Sequence, residues 1–153
     1  MSKKIDIIQQ AGGKQCMLIA VIDGQGGGIG RAIIEQLKDR LTPEYELIAL
    51  GTNSMATSAM LRAGAPRGAT GENAILFNCR RADVIVGPIG VILANAMLGE
   101  VTPRMAEAVA SSHAQKVLIP SNRCQLTVVG TQNKSMQDYI NEAIELILAQ
   151  VHA

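Results

Sequence analysis

Residues 17–41 read MLIAVID, GQGGGIG and RAIIEQLKDRL in succession, and this stretch restricts the fold more tightly than any other. A strand with one wet face alternates apolar and polar residues; MLIAVID does not alternate, which is the pattern of a strand buried on both faces. In the third segment Ala32 or Ile33, Leu37 and Leu41 fall at helical spacing. A strand covered on both sides and followed through a glycine turn by a helix calls for parallel neighbours reached by crossovers.

The rest of the chain supplies them. ELIAL (46–50) predicts a second strand, ending at Gly51, after which Thr52, Asn53 and Ser54 can cap a helix over 55–63 with Gly64 beyond its end. AGAPRGATGEN (63–73) reads as a long loop, a candidate lid in which Arg67 closes over an anion and Thr70 caps a helix over 72–81. ADVIVG (82–87) predicts a third buried strand ending at GPIG, and VILANAML (91–98) a helix apolar nearly all round. Thr102 and Pro103 supply an N-cap and first-turn proline for a helix over 104–112. QKVLIP (115–120) is a fourth strand and QLTVVG (125–130) a fifth, too close to return parallel and so expected as an antiparallel edge hairpin. A last amphipathic helix runs over 135–151, with Tyr139, Ile140, Ile144, Ile147 and Leu148 on its apolar side. The expectation is a three-layer, Rossmann-like α/β sandwich with a mostly parallel sheet of about five strands, ordered 2-1-3-4-5. Residues 1–16 form an arm or extra edge element, and 17–153 one domain.

Of the 153 residues 48% are hydrophobic, yet there are one Phe, two Tyr and no Trp, so the core is aliphatic and base-stacking or aromatic-cage binding is disfavoured. Fourteen basic residues against thirteen acidic ones give no field for nucleic acid or an anionic membrane. Cys16, Cys79 and Cys124 are odd in number and far apart, which points away from a disulfide framework and from structural zinc, and toward a reduced cytoplasm. The first fifteen residues lack the apolar run of an export signal. The longest apolar stretch, 84–99, is shorter than the ~20 residues of a spanning helix and holds Pro88 and Asn95. A mean hydropathy of +0.19 together with so apolar a helix at 91–98 points to a homo-oligomer.

The glycine loop is the strongest chemical signal. Glycines between a buried strand and a helix let backbone N–H groups approach an anion where the helix N-terminus adds partial positive charge. The candidate ligand-binding residues there are Gly24, Gln25, Gly26, Gly27, Gly28, Ile29, Gly30 and Arg31. Ligands of open α/β sheets sit outside the carboxyl ends of the strands. That rule adds Thr52 and Asn53, Gly87 and Gly90, and Asn122. Asp23 beside a phosphate would repel it unless its side chain caps loop amides, holds magnesium or acts in proton transfer, with Arg31 as a neighbouring base. Arg123 suits a phosphate or carboxylate, and Cys124 is a candidate nucleophile. The partner predicted is a phosphorylated small molecule, with NAD(P), another nucleotide and magnesium as the cofactors in view. An alternative is a nicotinamide-dependent or metal-assisted enzyme; another is an interaction protein without a small ligand.

Gly24, Gly28 and Gly30 form G-x-x-x-G-x-G, and GQGGGIGRAI closely resembles the cofactor loop of short-chain dehydrogenases. That resemblance covers about Leu18 to Ile34. The tyrosine and lysine four apart that it implies are missing, since Ala143 stands four residues after Tyr139, and no acidic residue follows the second strand to hold a ribose. IAVIDGQGGGIG, LIALGTN, TSAMLRAGA, GATGENAI, VGPIGVILANAMLGE and IPSNRC together resemble, over about Met17 to Val151, an uncharacterised bacterial family catalogued as a domain of unknown function. The resemblance implies a small bacterial cytoplasmic protein and brings no activity, substrate or catalytic residue with it.

Overall fold

The structure, a computed structural model, describes residues 16–121 and 125–151. Its elements are β1 (Met17–Asp23), α1 (Gly28–Leu37), β2 (Tyr45–Gly51), α2 (Ser54–Arg62), β3 (Arg67–Thr70), α3 (Glu72–Cys79), β4 (Val84–Pro88), α4 (Pro103–Ser111), β5 (Gln115–Ile119) and α5 (Met136–Val151). The strands pair in the order β3-β2-β1-β4-β5, all parallel. Along β1 the side chains divide by parity, as a pleated strand requires. Ile19 and Val21 pack with Ile33, Ile34 and Leu37 of α1 and with Ile140, Ile144 and Ile147 of α5. Leu18, Ala20 and Ile22 pack with Ile75 and Cys79 of α3 and with Met105 and Val109 of α4. Both faces are covered, so the unbroken apolar run of β1 is explained, and the three-layer α/β expectation holds.

Three sequence expectations are corrected. The loop 63–73 is no lid: residues 67–70 pair with Ile48–Gly51 as the edge strand β3, and Arg67 forms an exposed ion pair with Glu46 at 2.7 Å. Thr70 does not cap α3; Gly71 occupies that position, and the Thr70 hydroxyl lies 2.7 Å from that of Thr57. The four other strands stand in the expected relative order, but the fifth lies on the opposite edge from the one expected. Residues 125–130 form no strand, and their side chains face solvent, Val129 almost wholly, so their alternation finds no layer to pack on.

The third correction bears on the site. Residues 91–98 are not a helix. After β4 the chain makes a short 3-10 turn, Ile89–Ile92, and then a closed strap in which the Asn95 amide donates to the Val101 carbonyl at 2.7 Å. Val91 and Val101 fix its two ends in the core, while Asn95, Met97 and Leu98 take left-handed backbone angles incompatible with a continuing helix. The Thr102 cap and Pro103 start of α4 and the apolar face of α5 are as the sequence predicts.

Candidate functional site

The carboxyl ends of β1 and β2 lie side by side, Asp23 opposite Gly51, and the loops leaving them carry most of the candidate residues. α1 begins after Gly27, whose φ of +73° is open to glycine and whose Cβ would stand 2.8 Å from the Ala56 backbone. Having no side chain, Gly27 cannot cap the helix. Asp23 does so from the strand end: one carboxylate oxygen accepts from the Gly24 amide and the other from the Gly30 amide, each at 2.7 Å. Only 4% of Asp23 is exposed. Burial pushes its carboxyl above the ordinary value, the Gly30, Gly24 and Ile29 amides pull the other way, and the nearby charge of Glu100 adds to the rise. Asp23 thus caps loop amides, the first of the three roles open to it from sequence. Arg31 is not its partner; that guanidinium pairs with Glu35 one helical turn on, at 2.9 Å on the surface.

The loop's glycines fall into two kinds. A Cβ on Gly24 would lie 2.5 Å from both the Met97 sulfur and the Thr52 hydroxyl, and one on Gly30 would lie 2.5 Å from the Met60 sulfur. Gly26 and Gly28 have nothing within 4 Å of that position, and neither has a left-handed φ. Their amides, unlike those of Gly24, Gln25, Gly27 and Gly30, donate to no acceptor among the described residues. Both residues are exposed, Gly26 just before the N-cap and Gly28 at the first position of α1, where the helix dipole is positive.

Thr52 and Asn53 are drawn into the same place. Asn53 caps α2 by accepting from the Ala56 amide at 2.9 Å, and its Nδ2 donates to the Gln25 carbonyl at 3.0 Å. The residue that sequence reasoning missed is Glu100. Its Oε1 accepts from the Gln25 amide at 2.9 Å, the Thr52 hydroxyl at 2.8 Å and Asn53 Nδ2 at 2.5 Å. Burial raises the Glu100 carboxyl, but the Gln25 amide, Asn53 and Thr52 outweigh it and hold the group below its ordinary value. Its signal in the sequence was position. The segment after β4 emerges at the same crest as the ends of β1 and β2, so a lone acid at its far end was placed to reach them.

Gly87 and Gly90 do not join this cluster of exposed groups. Gly87 is buried within β4, where a Cβ would collide with the Ile22 carbonyl, and Gly90 is buried in the 3-10 turn. Asn122, Arg123 and Cys124 lie outside the described residues, as do residues 1–15, on which the expected arm or edge element falls; Cys16 is exposed.

A parallel five-stranded sheet covered on both faces, with a glycine loop leading from its central strand into a helix, defines a Rossmann-like α/β protein. The family model "Domain of unknown function (DUF3842)" matches residues 18–152, and the chain belongs to that family. No curated protein matches the sequence. Among solved structures the chain is similar to a dodecameric FMN-dependent Ubix-like decarboxylase from Escherichia coli O157:H7, at 15% identity over 90% of this chain and 95% of that one, with a TM-score of 0.48. It is also similar to a glutamyl-tRNA reductase from Methanopyrus kandleri, at 14% identity over 96% of this chain and 38% of that one, with a TM-score of 0.43. At these identities and scores neither likeness says what this chain binds. Among the described residues no helix is long and apolar enough to cross a membrane.

Proposed function

We propose that the chain binds a phosphorylated small molecule, a nucleotide in the first instance, with a phosphate seated on the N–H groups of Gly26 and Gly28. The observation that carries this reading is that glycine at these two positions serves neither backbone conformation nor packing. What it leaves is open space at the Cβ positions of two exposed residues beside a helix N-terminus, whose N–H groups have no acceptor among the described residues, which suits an anion. With no Trp and three aromatic residues in the whole chain, a base would rest on aliphatic side chains, so backbone contacts to phosphate should dominate affinity. The enzyme alternatives draw little from Asp23, because both its oxygens are engaged by amides and its side chain is enclosed.

The test is thermal shift of the wild-type chain and of Gly28→Leu against nicotinamide dinucleotides, purine nucleotides, coenzyme A and sugar phosphates. A ligand that raises the melting temperature of the wild type and leaves Gly28→Leu unmoved supports the proposal. Silence from the whole panel at millimolar concentration contradicts it.

Homo-oligomer formation is a second proposal, resting on different residues from those first expected. The apolar 91–98 helix that suggested it does not form, but Met55, Leu61, Phe77 and Leu146 stand exposed on the surface. Light scattering decides it, and a monomer overturns it.

A further inference from the structure

The strap after β4 does something that the glycine-loop reading does not require. It brings a carboxylate onto three donors that belong to other parts of the chain: the Gln25 amide, the Thr52 hydroxyl and the Asn53 side-chain amide, all converging on Glu100 Oε1. Such a set is chemically an anion site, and in this structure its occupant is internal. Its neighbour is the open pair of N–H groups on Gly26 and Gly28, in the same short loop as Gln25.

The Glu100 contact is one of several that hold the strap, beside its own backbone hydrogen bonds. Val91 and Val101 are buried at the strap's ends and Ile92, Ala96 and Met97 pack partly buried against the core, while Leu98 at the tip is fully exposed and adds no packing of its own. Asn95, Met97 and Leu98 have φ of 66°, 58° and 57°, a region that asparagine enters readily but methionine and leucine rarely do. Met97 lies over Gly24, in contact that a Cβ there would forbid. While the strap is down, Glu100 occupies the Gln25 amide, and the Gly24 amide is held by Asp23 in any case.

We propose that Gln25, Thr52 and Asn53 form a second anion subsite, for a further phosphate or a carboxylate of the same ligand. Glu100 is its resident competitor, displaced together with the 95–100 strap when that group binds. This rests on the glycine loop holding the first phosphate. A ligand with one anionic group binds with the strap down, and one with two adjacent anionic groups lifts it.

The probes are inorganic phosphate and pyrophosphate, titrated calorimetrically against the wild-type chain, Glu100→Ala and Glu100→Gln, each checked by its melting curve. Removing a carboxylate that competes for the same donors should tighten pyrophosphate by about tenfold in Glu100→Ala, with a smaller gain for phosphate and an intermediate one in Glu100→Gln. Hydrogen exchange supplies a readout independent of affinity. The Gln25 amide should be protected in the free wild type, exposed in Glu100→Ala, and protected again when pyrophosphate is added. Pyrophosphate affinity unchanged or weakened in both variants overturns the second subsite while leaving the first standing. No binding of either probe to any of the three proteins overturns both.

Discussion

The two kinds of glycine in the loop look alike in sequence and behave as opposites in structure. Gly24, Gly27 and Gly30 are pressed against Met97, Ala56 and Met60, and at each of them a methyl group would meet another atom. Gly26 and Gly28 alternate with these and meet nothing. A glycine that packing demands explains itself within the fold. Gly26 and Gly28 have no such packing reason, and their N–H groups have no acceptor among the described residues.

The comparison breaks most easily at the packed positions. Gly87→Ala, which drives a methyl into the Ile22 carbonyl of the central strand, should cost about 3 kcal/mol or more in urea denaturation. Gly27→Ala combines left-handed strain with a contact on the Ala56 backbone and should cost about 2 kcal/mol by the same measurement. Asp23→Ala leaves the Gly24 and Gly30 amides without their acceptor and should cost about 2 kcal/mol as well. Gly28→Leu should change stability by only about 0.5 kcal/mol in either direction, yet abolish the ligand-dependent rise in melting temperature. If it unfolds the chain instead, the distinction between the two kinds of glycine fails.

The smallest effects are in pH dependence, and the two carboxylates have opposite signs. Glu100 holds its proton less readily folded than unfolded, so its stabilising contribution is complete above the ordinary glutamate range and disappears as pH falls through its lowered value. Wild type should therefore lose stability relative to Glu100→Gln on acidification below about pH 4.3. Asp23 holds its proton more readily in the folded chain, so its contribution is present below the ordinary aspartate range and is lost as pH rises through its raised value. Relative to Asp23→Asn, wild type should lose stability from about pH 3.9 upward. Denaturation midpoints of the three proteins across that range check both signs.

Which parts were legible from sequence follows from how each part is stabilised. β1, β2, β4 and β5 carry apolar residues because helices cover them, so their pattern is written locally. β3 is a four-residue edge strand, RGAT, mostly exposed, and it is a strand because the outer edge of β2 offers it hydrogen bonds. The apolar run 91–98 misled for the opposite reason. Val91 and Val101 anchor it, while its middle turns outward through left-handed residues to put Met97 over Gly24. At the site, Asp23 and the loop amides were legible because they are sequence neighbours. Glu100, 75 residues from Gln25, was not, because its role exists only once the strap has folded back across the crest.

The central claim is that Gly26 and Gly28 hold a phosphate, and backbone amide shifts report on it directly. In ¹⁵N-labelled protein titrated with inorganic phosphate and then with AMP, the Gly26 and Gly28 amide resonances should move downfield and saturate together, while that of Gly87, buried in β4, stays in place. Resonances of Gly26 and Gly28 that remain fixed at saturating millimolar ligand, or shifts confined to other parts of the chain, would contradict the account.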